Sequence, residues 1–203
     1  AENENIIEVK YLPVLANITR RFFNKTGEII ADEIISKHQV GSFVEIKVDS
    51  ILIDKEKKKW NFIKNDKSSF KVKEDETQNV VNNFYEPKLV EGVIKIYDDN
   101  KNEIMPSKKY IAQIGSRYKA SVPIYYIDPK TKLGWVHAEK DSDSIFMDDD
   151  TNKNVISIYY EKHMMKVLDK FVDMDGNIIM PEKDRIMQVG KLYEPKIQER
   201  VFD

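Results

Sequence analysis

One cluster of acidic residues in this sequence has the spacing of a calcium-binding loop, so metal binding is the first chemistry to consider. Asp173, Asp175 and Asn177 alternate as the first ligands of a calcium loop do. Glu182 lies five residues further on, but Pro181 and the apolar run before it are typical of a returning strand. A β-hairpin turn explains this stretch better than calcium binding, so no metal site is predicted here.

The remaining titratable residues form no catalytic constellation. Asp148-Asp149-Asp150, with Asp141 and Asp143 nearby, could attract a cation, although a solvated acidic turn is the stronger interpretation. The chain has no cysteine, which excludes disulfides and thiol chemistry. No phosphate-binding loop or nucleophile elbow is present, and no zinc-ligand spacing joins the isolated histidines, His38, His137 and His163. We expect a protein that is not an enzyme, with no catalytic residue, no metal and no cofactor.

Aromatic residues are the better candidates for binding a ligand. Trp60 and Trp135 are the only tryptophans, and each could stack on a sugar ring. A central place in the core is the more common role for such a large apolar side chain. Tyr125 and Tyr126 lie in a segment that varies within the chain, where binding specificity often resides. We therefore predict ligand contacts at Tyr125 and Tyr126, and more weakly at Trp135 and Trp60.

Composition excludes several classes of partner. A third of the residues are charged, but the formal net charge is only −2, so there is no basic footprint for nucleic acid. No apolar run approaches the roughly 18 residues of a membrane span, so this chain is expected not to insert into a membrane. The first residues are polar and lack the pattern of a signal peptide.

A tandem repeat positions all of these residues. A Val-Gly or Ile-Gly pair recurs at Gly41, Gly115 and Gly190, and 115 − 41 = 74 while 190 − 115 = 75. A fixed period of this kind indicates one structural unit copied along the chain. We predict the final strand of a preceding repeat at 1–13, complete repeats at 17–88 and 91–163, and an incomplete third repeat at 166–203.

Each repeat is predicted to consist mainly of strands. The first begins with a hairpin over residues 18–36, followed by the glycine motif, a variable segment (46–60, equivalent to 121–134), and a strand that begins at the tryptophan. The second hairpin has no glycine in its turn, so we expect an asparagine there to adopt the left-handed conformation. The aromatic residue after each glycine is expected in the core, and these residues are Phe43, Tyr118 and Tyr193.

The predicted strand at residues 5–11 and the third repeat both lack part of their own unit. Short linkers are expected at 87–92 and 161–166. Because unpaired sheet edges invite pairing, residues 5–11 are expected to add to the edge of the first complete repeat or to complete the third repeat of a neighbouring molecule.

The order of these motifs resembles the mucin-binding-protein (MucBP) repeat of Gram-positive cell-surface proteins. The closest local match is the turn and returning strand from Asp173 to Pro181, and Pro106 occupies the equivalent place in the second repeat. The first repeat departs from the pattern, because Asp32 replaces this proline. The resemblance implies tandem β-grasp (ubiquitin-like) repeats, a β-rich α+β fold in an elongated array.

The same resemblance implies a function. The chain would be a non-enzymatic fragment of a bacterial surface adhesin that binds a host glycan, mucin-like, or a host protein. The parent protein would be extracellular and anchored to the cell wall, with neighbouring repeats as possible partners. The alternative is a structural stalk that projects another domain from the wall. If residues 54–59 and the two tyrosines are packed away, the stalk is favoured; if they form an exposed aromatic groove, adhesion is favoured.

Overall fold

The structure is a computed structural model that describes residues 7–138 and 143–195. It has two compact units. Unit 1 comprises Ala1–Val90 with Gln113–Ser116, and unit 2 comprises Glu91–Ala112 with Arg117–Asp203. The described residues form strands and two short 3-10 turns, at Glu76–Asn79 and Thr151–Lys153. The prediction of a β-rich chain with tandem β-sheet domains is confirmed.

Unit 1 contains one mixed five-stranded sheet and one small two-stranded sheet. The large sheet has the order β2-β1-β7-β5-β4, and the small one joins β3 to β6. Strands β1 and β7 are parallel neighbours at its centre, whereas β1–β2, β5–β7 and β4–β5 are antiparallel. The bounds are β1 Leu15–Asn24, β2 Ile29–Gln39, β3 Phe43–Glu45, β4 Ile51–Ile53, β5 Lys59–Asn65, β6 Ser69–Lys71 and β7 Val80–Pro87.

Unit 2 repeats this arrangement. Its five-stranded sheet has the order β11-β12-β14-β8-β9, and β10 pairs with β13. An additional antiparallel hairpin, β15–β16, follows. The bounds are β8 Leu89–Asp98, β9 Glu103–Gln113, β10 Arg117–Lys119, β11 Tyr125–Ile127, β12 Gly134–His137, β13 Ser144–Phe146, β14 Val155–Lys162, β15 Met164–Val172 and β16 Ile178–Gln188.

The linkers predicted at 87–92 and 161–166 are wrong. A single residue, Lys88, separates β7 from β8, and His163 alone separates β14 from β15. Strands β7 and β8 run through the first stretch, and β14 and β15 run through the second, although neither stretch alternates apolar and polar residues. Pro87 is itself the last residue of β7, because a strand can end on a proline where no further ladder bond is required.

The core of unit 1 consists of two apolar clusters. One is built on Ile18, Val81 and Val72, with Val40 and Val44 packed against it. The other is built on Phe22, Trp60 and Tyr85, and includes Leu52 and Phe62 at its edge. The predicted opening hairpin and tryptophan strand therefore supply the core, as their alternating pattern requires.

Phe43 is not a core residue, which corrects one prediction. Its side chain is 73% exposed, while Val44 packs into the core. Successive side chains of a strand point to opposite faces, and the residue equivalent to Tyr118 is Val44 rather than Phe43. Tyr118 itself is half-buried and stacks on Tyr110, with ring centroids 3.8 Å apart.

Residues 7–14 form no strand, so the strand predicted over 5–11 is wrong for the part that the structure describes. Ile7 and Tyr11 are 87% and 88% exposed. The segment does not add to the sheet edge of unit 1 either, although the Val40 amide donates to the Val14 carbonyl, 2.8 Å, where the segment ends. A strand needs a neighbour to satisfy its backbone groups, and none is in place among the described residues. Residues 5 and 6 lie outside them.

The three hairpin turns share one hydrogen-bond pattern. In each, the first side chain accepts bonds from backbone amides two and four residues later; these side chains are Asn24, Asp98 and Asp173. Gly27 adopts the required positive φ in the first turn, and Lys101 does so in the second, at φ 65°. The expectation that an asparagine takes the left-handed conformation is wrong. The backbone amides that donate to Asp98 place the positive-φ residue at Lys101, one residue before Asn102.

Candidate functional site

An open groove lies between the first hairpin of unit 1 and the loop that joins β4 to β5. We call it the unit 1 groove. One wall is the hairpin turn with the start of β2, and the other is the loop that begins at Asp54. Its lining residues are Asn24, Glu28, Ile29, Ile30, Ala31, Asp32, Asp54, Lys55, Glu56, Lys58 and Trp60.

Unit 2 has a groove at the equivalent place, the unit 2 groove. It lies between the start of β9 and the loop after β11. Its lining residues are Glu103, Ile104, Met105, Pro106, Tyr126, Asp128, Pro129 and Lys130. The two grooves therefore recur with the repeat, although most of the lining residues differ in type.

Charge distinguishes the two grooves. The unit 1 groove carries four carboxylates (Glu28, Asp32, Asp54 and Glu56) and two lysines, a formal charge of −2. An exposed ion pair of 2.8 Å joins Lys55 of the loop to Asp32 of the hairpin. The unit 2 groove carries two carboxylates and one lysine, a formal charge of −1, with a methionine, two prolines and a tyrosine among its remaining residues. Each groove thus offers hydrogen-bond acceptors beside apolar surface.

Asp54 organises the loop of the unit 1 groove. Its Oδ1 accepts hydrogen bonds from the backbone amides of Glu56 and Lys58, both 2.9 Å. Its Oδ2 accepts the indole Nε1–H of Trp60, also 2.9 Å. The carboxylate thereby fixes the loop to the main aromatic residue of the core.

Replacing Asp54 with alanine is expected to lower the free energy of unfolding by about 1–2 kcal/mol, because two amides and the indole lose a charged acceptor. Urea unfolding followed by tryptophan fluorescence measures the change. Glu56→Ala is the matched control, since the exposed Glu56 side chain forms an ion pair with Lys58, and such a surface pair contributes little. Equal unfolding midpoints for the two variants would contradict the role given to Asp54.

The equivalent loop of unit 2 is one residue longer, and its hydrogen bonds differ. Six positions separate Asp54 from Trp60, but seven separate Asp128 from Trp135. Asp128 accepts bonds from the Lys130 amide and the Thr131 hydroxyl, and the latter is the main cause of its lowered pKa. The Trp135 Nε1–H is buried and has no partner among the described residues.

The four aromatic residues predicted to bind ligand lie in different surroundings. Trp60 and Trp135 are only 9% and 7% exposed, so neither offers an open ring face, and burial favours their core role. Tyr125 is 63% exposed on the edge strand β11, with its ring 5.2 Å from that of His163. Tyr126 is half-buried, pairs in register with Trp135 and lines the unit 2 groove. Partial burial, then the Asp128 carboxylate, raises the pKa of Tyr126.

The side chains of the acidic clusters make hydrogen bonds and ion pairs in turns. The Asp173 carboxylate accepts hydrogen bonds from the Asn177 side chain and from backbone amides of its own turn, and these bonds lower its pKa. Asp148 accepts the Asp150 amide and pairs with Lys153, and Asp143 pairs with Lys119. Asp141 lies outside the described residues. Within the described ranges, no group of three or more His, Cys, Asp or Glu side chains could hold a metal ion.

Two glycine turns contact the loops that form the grooves, and we call each set of contacts a clasp. In unit 1 the Ile114 carbonyl accepts the Lys59 amide, 3.0 Å, and the Gln113 side-chain amide donates to the Lys59 carbonyl, 2.9 Å. A Cβ on Gly115 would lie 2.0 Å from the Lys57 carbonyl oxygen. The loop of the unit 1 groove is therefore held by backbone contacts.

Unit 2 contains the same clasp. The Val189 carbonyl accepts the Gly134 amide, 2.8 Å, and the Gln188 side chain donates to the Gly134 carbonyl, 3.0 Å. A Cβ on Gly190 would lie 1.8 Å from the Lys132 carbonyl oxygen. The glycine motif of the sequence is thus a structural contact in both units.

Sequence reasoning locates one wall of each groove but misses the other. The loops fall within the segments 46–60 and 121–134, which vary between the copies. The hairpin walls, from Glu28 to Asp32 and from Glu103 to Pro106, have only the sequence signature of strands and turns. The hairpin walls occupy equivalent places in both repeats, next to a loop whose sequence differs between the repeats. This is the signal that could have identified them.

No family model matches the sequence, and no curated protein matches it. Among solved structures, the chain is similar to domains 3–4 of the Streptococcal High Identity Repeats in Tandem (SHIRT) of a cell surface protein. That match has 13% sequence identity and a TM-score of 0.31, and covers 71% of this chain and 96% of the other. In the described part of the chain, no helix has the length and apolar character to cross a membrane.

Proposed function

We propose that this chain is a non-enzymatic part of a bacterial surface adhesin, in which the unit 1 and unit 2 grooves bind a host glycan or host protein. The observation that carries this proposal is the recurrence of an open groove at the same place in two repeats with different lining residues. A groove that keeps its position in each repeat while its lining residues change is typical of binding loops on a stable scaffold.

The lining indicates which ligand groups would be bound. Carboxylates accept hydrogen bonds from sugar hydroxyls or from cationic protein side chains. Tyr126, with a half-buried ring and a hydroxyl, offers an apolar face and a polar end to the same ligand. Weak contacts at two grooves would combine into avidity for a ligand with repeated epitopes, such as a mucin-like glycoprotein.

The test is binding of the full chain to a glycan array and to immobilised mucin. Tyr126→Ala is expected to weaken binding about tenfold, the usual effect of removing a central interface tyrosine. Glu56→Ala should weaken binding through the unit 1 groove, whereas Glu74→Ala, an exposed acid outside both grooves, serves as its control. Folded protein without binding above background would overturn the proposal.

The second candidate function is a structural stalk, favoured by the backbone contacts between residues 57–59 and Gln113–Ser116. These contacts hold the loop in place instead of leaving it free for a ligand. The tyrosines support the other candidate, since Tyr125 is exposed and Tyr126 lines an open groove. If the folded chain binds no glycan or host protein, the structural stalk would be the remaining candidate function.

The finer assignments belong to the same proposal. The mixed sheet with a central parallel pair supports β-grasp repeats, although the described residues include only 3-10 turns and no α-helix. Membership of the MucBP family, an elongated array, an extracellular wall-anchored parent protein and the repeat boundaries at 17–88 and 91–163 are proposed with it, on the motifs of the sequence.

A further inference from the structure

Strand β2 lies at one edge of the large sheet of unit 1, and β1 is its neighbour on the inner side. Residues 34–39 pair with β1 in unbroken antiparallel register, and the Val40 amide donates to the Val14 carbonyl, 2.8 Å, in the same register. Hydrogen-bonded and non-hydrogen-bonded residues alternate along an antiparallel pair. The backbone amide and carbonyl groups of Ile35 and Lys37 therefore point away from β1, toward the outer side of the edge.

The side chains on one face of this edge have a self-complementary order. Ile35 faces Thr19, and Glu33 contacts Arg21; these partners are two residues apart on β1, so Glu33, Ile35 and Lys37 share one face. All three side chains are exposed, and Ile35 is 61% exposed. The order along the strand is acidic, apolar, basic, and an antiparallel copy of the same strand presents basic, apolar, acidic.

We propose that β2 is a dimerisation surface, at which two copies of this chain pair their β2 strands antiparallel and join their large sheets edge to edge. The two-fold axis passes between the Ile35 residues of the two copies, which face each other. Glu33 of each copy then faces Lys37 of the other. In this register Ile35 and Lys37 lie in hydrogen-bonded pairs, which use the backbone groups that point away from β1.

Charge complementarity favours a second copy as the partner of this edge. Opposite charges on neighbouring strands stabilise a pairing and like charges disfavour it, and the symmetric register contains two pairs of opposite charge. Glu33 already accepts the Arg21 guanidinium at Oε1, 2.6 Å, within its own molecule, but its side chain remains 43% exposed. A carboxylate accepts several donors, so Lys37 of the second copy would add to this ion pair.

The equivalent edge strands β9 and β16 lack this symmetry. By the offsets that relate the three repeated glycines, the position of Ile35 corresponds to Lys109 in β9 and to Asp184 in β16. The same register would therefore place two lysines, or two aspartates, opposite each other. Strand β9 also carries Pro106 at the place of Asp32, and proline on an edge strand discourages pairing. These differences distinguish β2 as the edge that pairs with itself.

A symmetric contact of this kind closes at the dimer, because the same surface of both copies is used. Analytical ultracentrifugation of the full chain is expected to show a concentration-dependent change from monomer to dimer, without larger species. The dimer does not depend on ligand binding at either groove, so it is tested in the absence of any glycan or host protein.

Exchange of the paired charges tests the register. Glu33→Lys and Lys37→Glu should each weaken dimerisation about three- to tenfold, because each variant alone places like charges opposite each other twice. An equimolar mixture of the two variants should form a heterodimer as readily as the unchanged chain dimerises, since one molecule then presents two positive side chains and the other two negative ones. Lys109→Glu, on the equivalent edge of unit 2, is the matched control and should leave dimerisation unchanged.

Cysteine crosslinking locates the axis, because the chain has no cysteine of its own. The Cα atoms of a hydrogen-bonded antiparallel pair lie about 5.5 Å apart, within the range that a disulfide bridges. Ile35→Cys should form a disulfide-linked dimer under mild oxidation, whereas Lys37→Cys, which is away from the axis, should not. The proposal is overturned if the chain stays monomeric at all concentrations or associates beyond the dimer, if both cysteine variants crosslink equally, or if the two charge variants associate no better together than alone.

Discussion

Alanine in place of Gly115 is expected to lower the free energy of unfolding by about 2–4 kcal/mol. Gly115 has a φ of 83°, where an L side chain is strained. The new Cβ would lie 2.0 Å from the Lys57 carbonyl oxygen, which is backbone and cannot rotate away. The loop would have to shift, and with it the Lys59–Ile114 hydrogen bond. The cost therefore adds overpacking to backbone strain.

Gly27→Ala is the control that separates these two effects. Its φ of 86° gives the same backbone strain, but beyond its chain neighbours no heavy atom lies within 4 Å of the place that a Cβ would take. A loss of only about 1–2 kcal/mol is therefore expected. Urea unfolding of the full chain by tryptophan fluorescence reports the difference, because Trp60 lies next to the clasped loop. If both variants unfold at the same midpoint, the clasp has no energetic role.

Asn154→Ala is expected to have the second large effect, a loss of about 2–4 kcal/mol. Asn154 is fully buried; its side chain accepts the Asp148 amide, 2.8 Å, and donates to the carbonyls of Asp148, 2.9 Å, and Glu91, 3.3 Å. Truncation removes the side-chain partner of each of these backbone groups inside the protein, which costs more than an ordinary hydrogen bond contributes.

Thermal unfolding followed by circular dichroism checks this expectation, with Asn152→Ala as the control. Asn152 is exposed, and its side chain donates to Asp150 of the same turn, so its loss should stay within about 0.5 kcal/mol. Asn79→Ala should reproduce the large effect in unit 1, where Asn79 makes the same bonds to Lys73 and Asn17. A small effect at both buried asparagines would show that water replaces them.

The repeat makes most strands of the fold predictable, because one alternating pattern is visible in several copies. Errors arise where single residues break the copy. Phe43 falls in the predicted core through a one-residue misalignment, and a slip of one residue exchanges the faces of a strand. Lys101 adopts a positive φ that residue type alone would assign to its asparagine neighbours. Residues 5–11 have the alternating pattern of a strand, but the part of them that the structure describes, residues 7–11, is paired with no strand among the described residues.

The candidate site is less predictable than the fold. Variation between copies points to the loops after Asp54 and Asp128, but a groove needs two walls. The second wall comes from residues about 25 positions earlier in sequence. Strands β2 and β4 are at opposite edges of the five-stranded sheet, so only the folded structure shows that both walls line one groove. The burial of Trp60 likewise depends on partners in β1 and β7, so its exposure could not be judged from the sequence.

The parallel pairing of β1 with β7 determines how unit 1 would respond to a mechanical pulling force. The chain enters the unit's large sheet at the start of β1, Leu15, and leaves β7 at Pro87, and these strands are hydrogen-bonded neighbours with the same direction. Tension between the two points slides one strand along the other, so the ladder bonds share the force and must break together instead of one after another. The pairing of β8 with β14 gives unit 2 the same geometry, so a pulling force would have to break its parallel ladder in the same way.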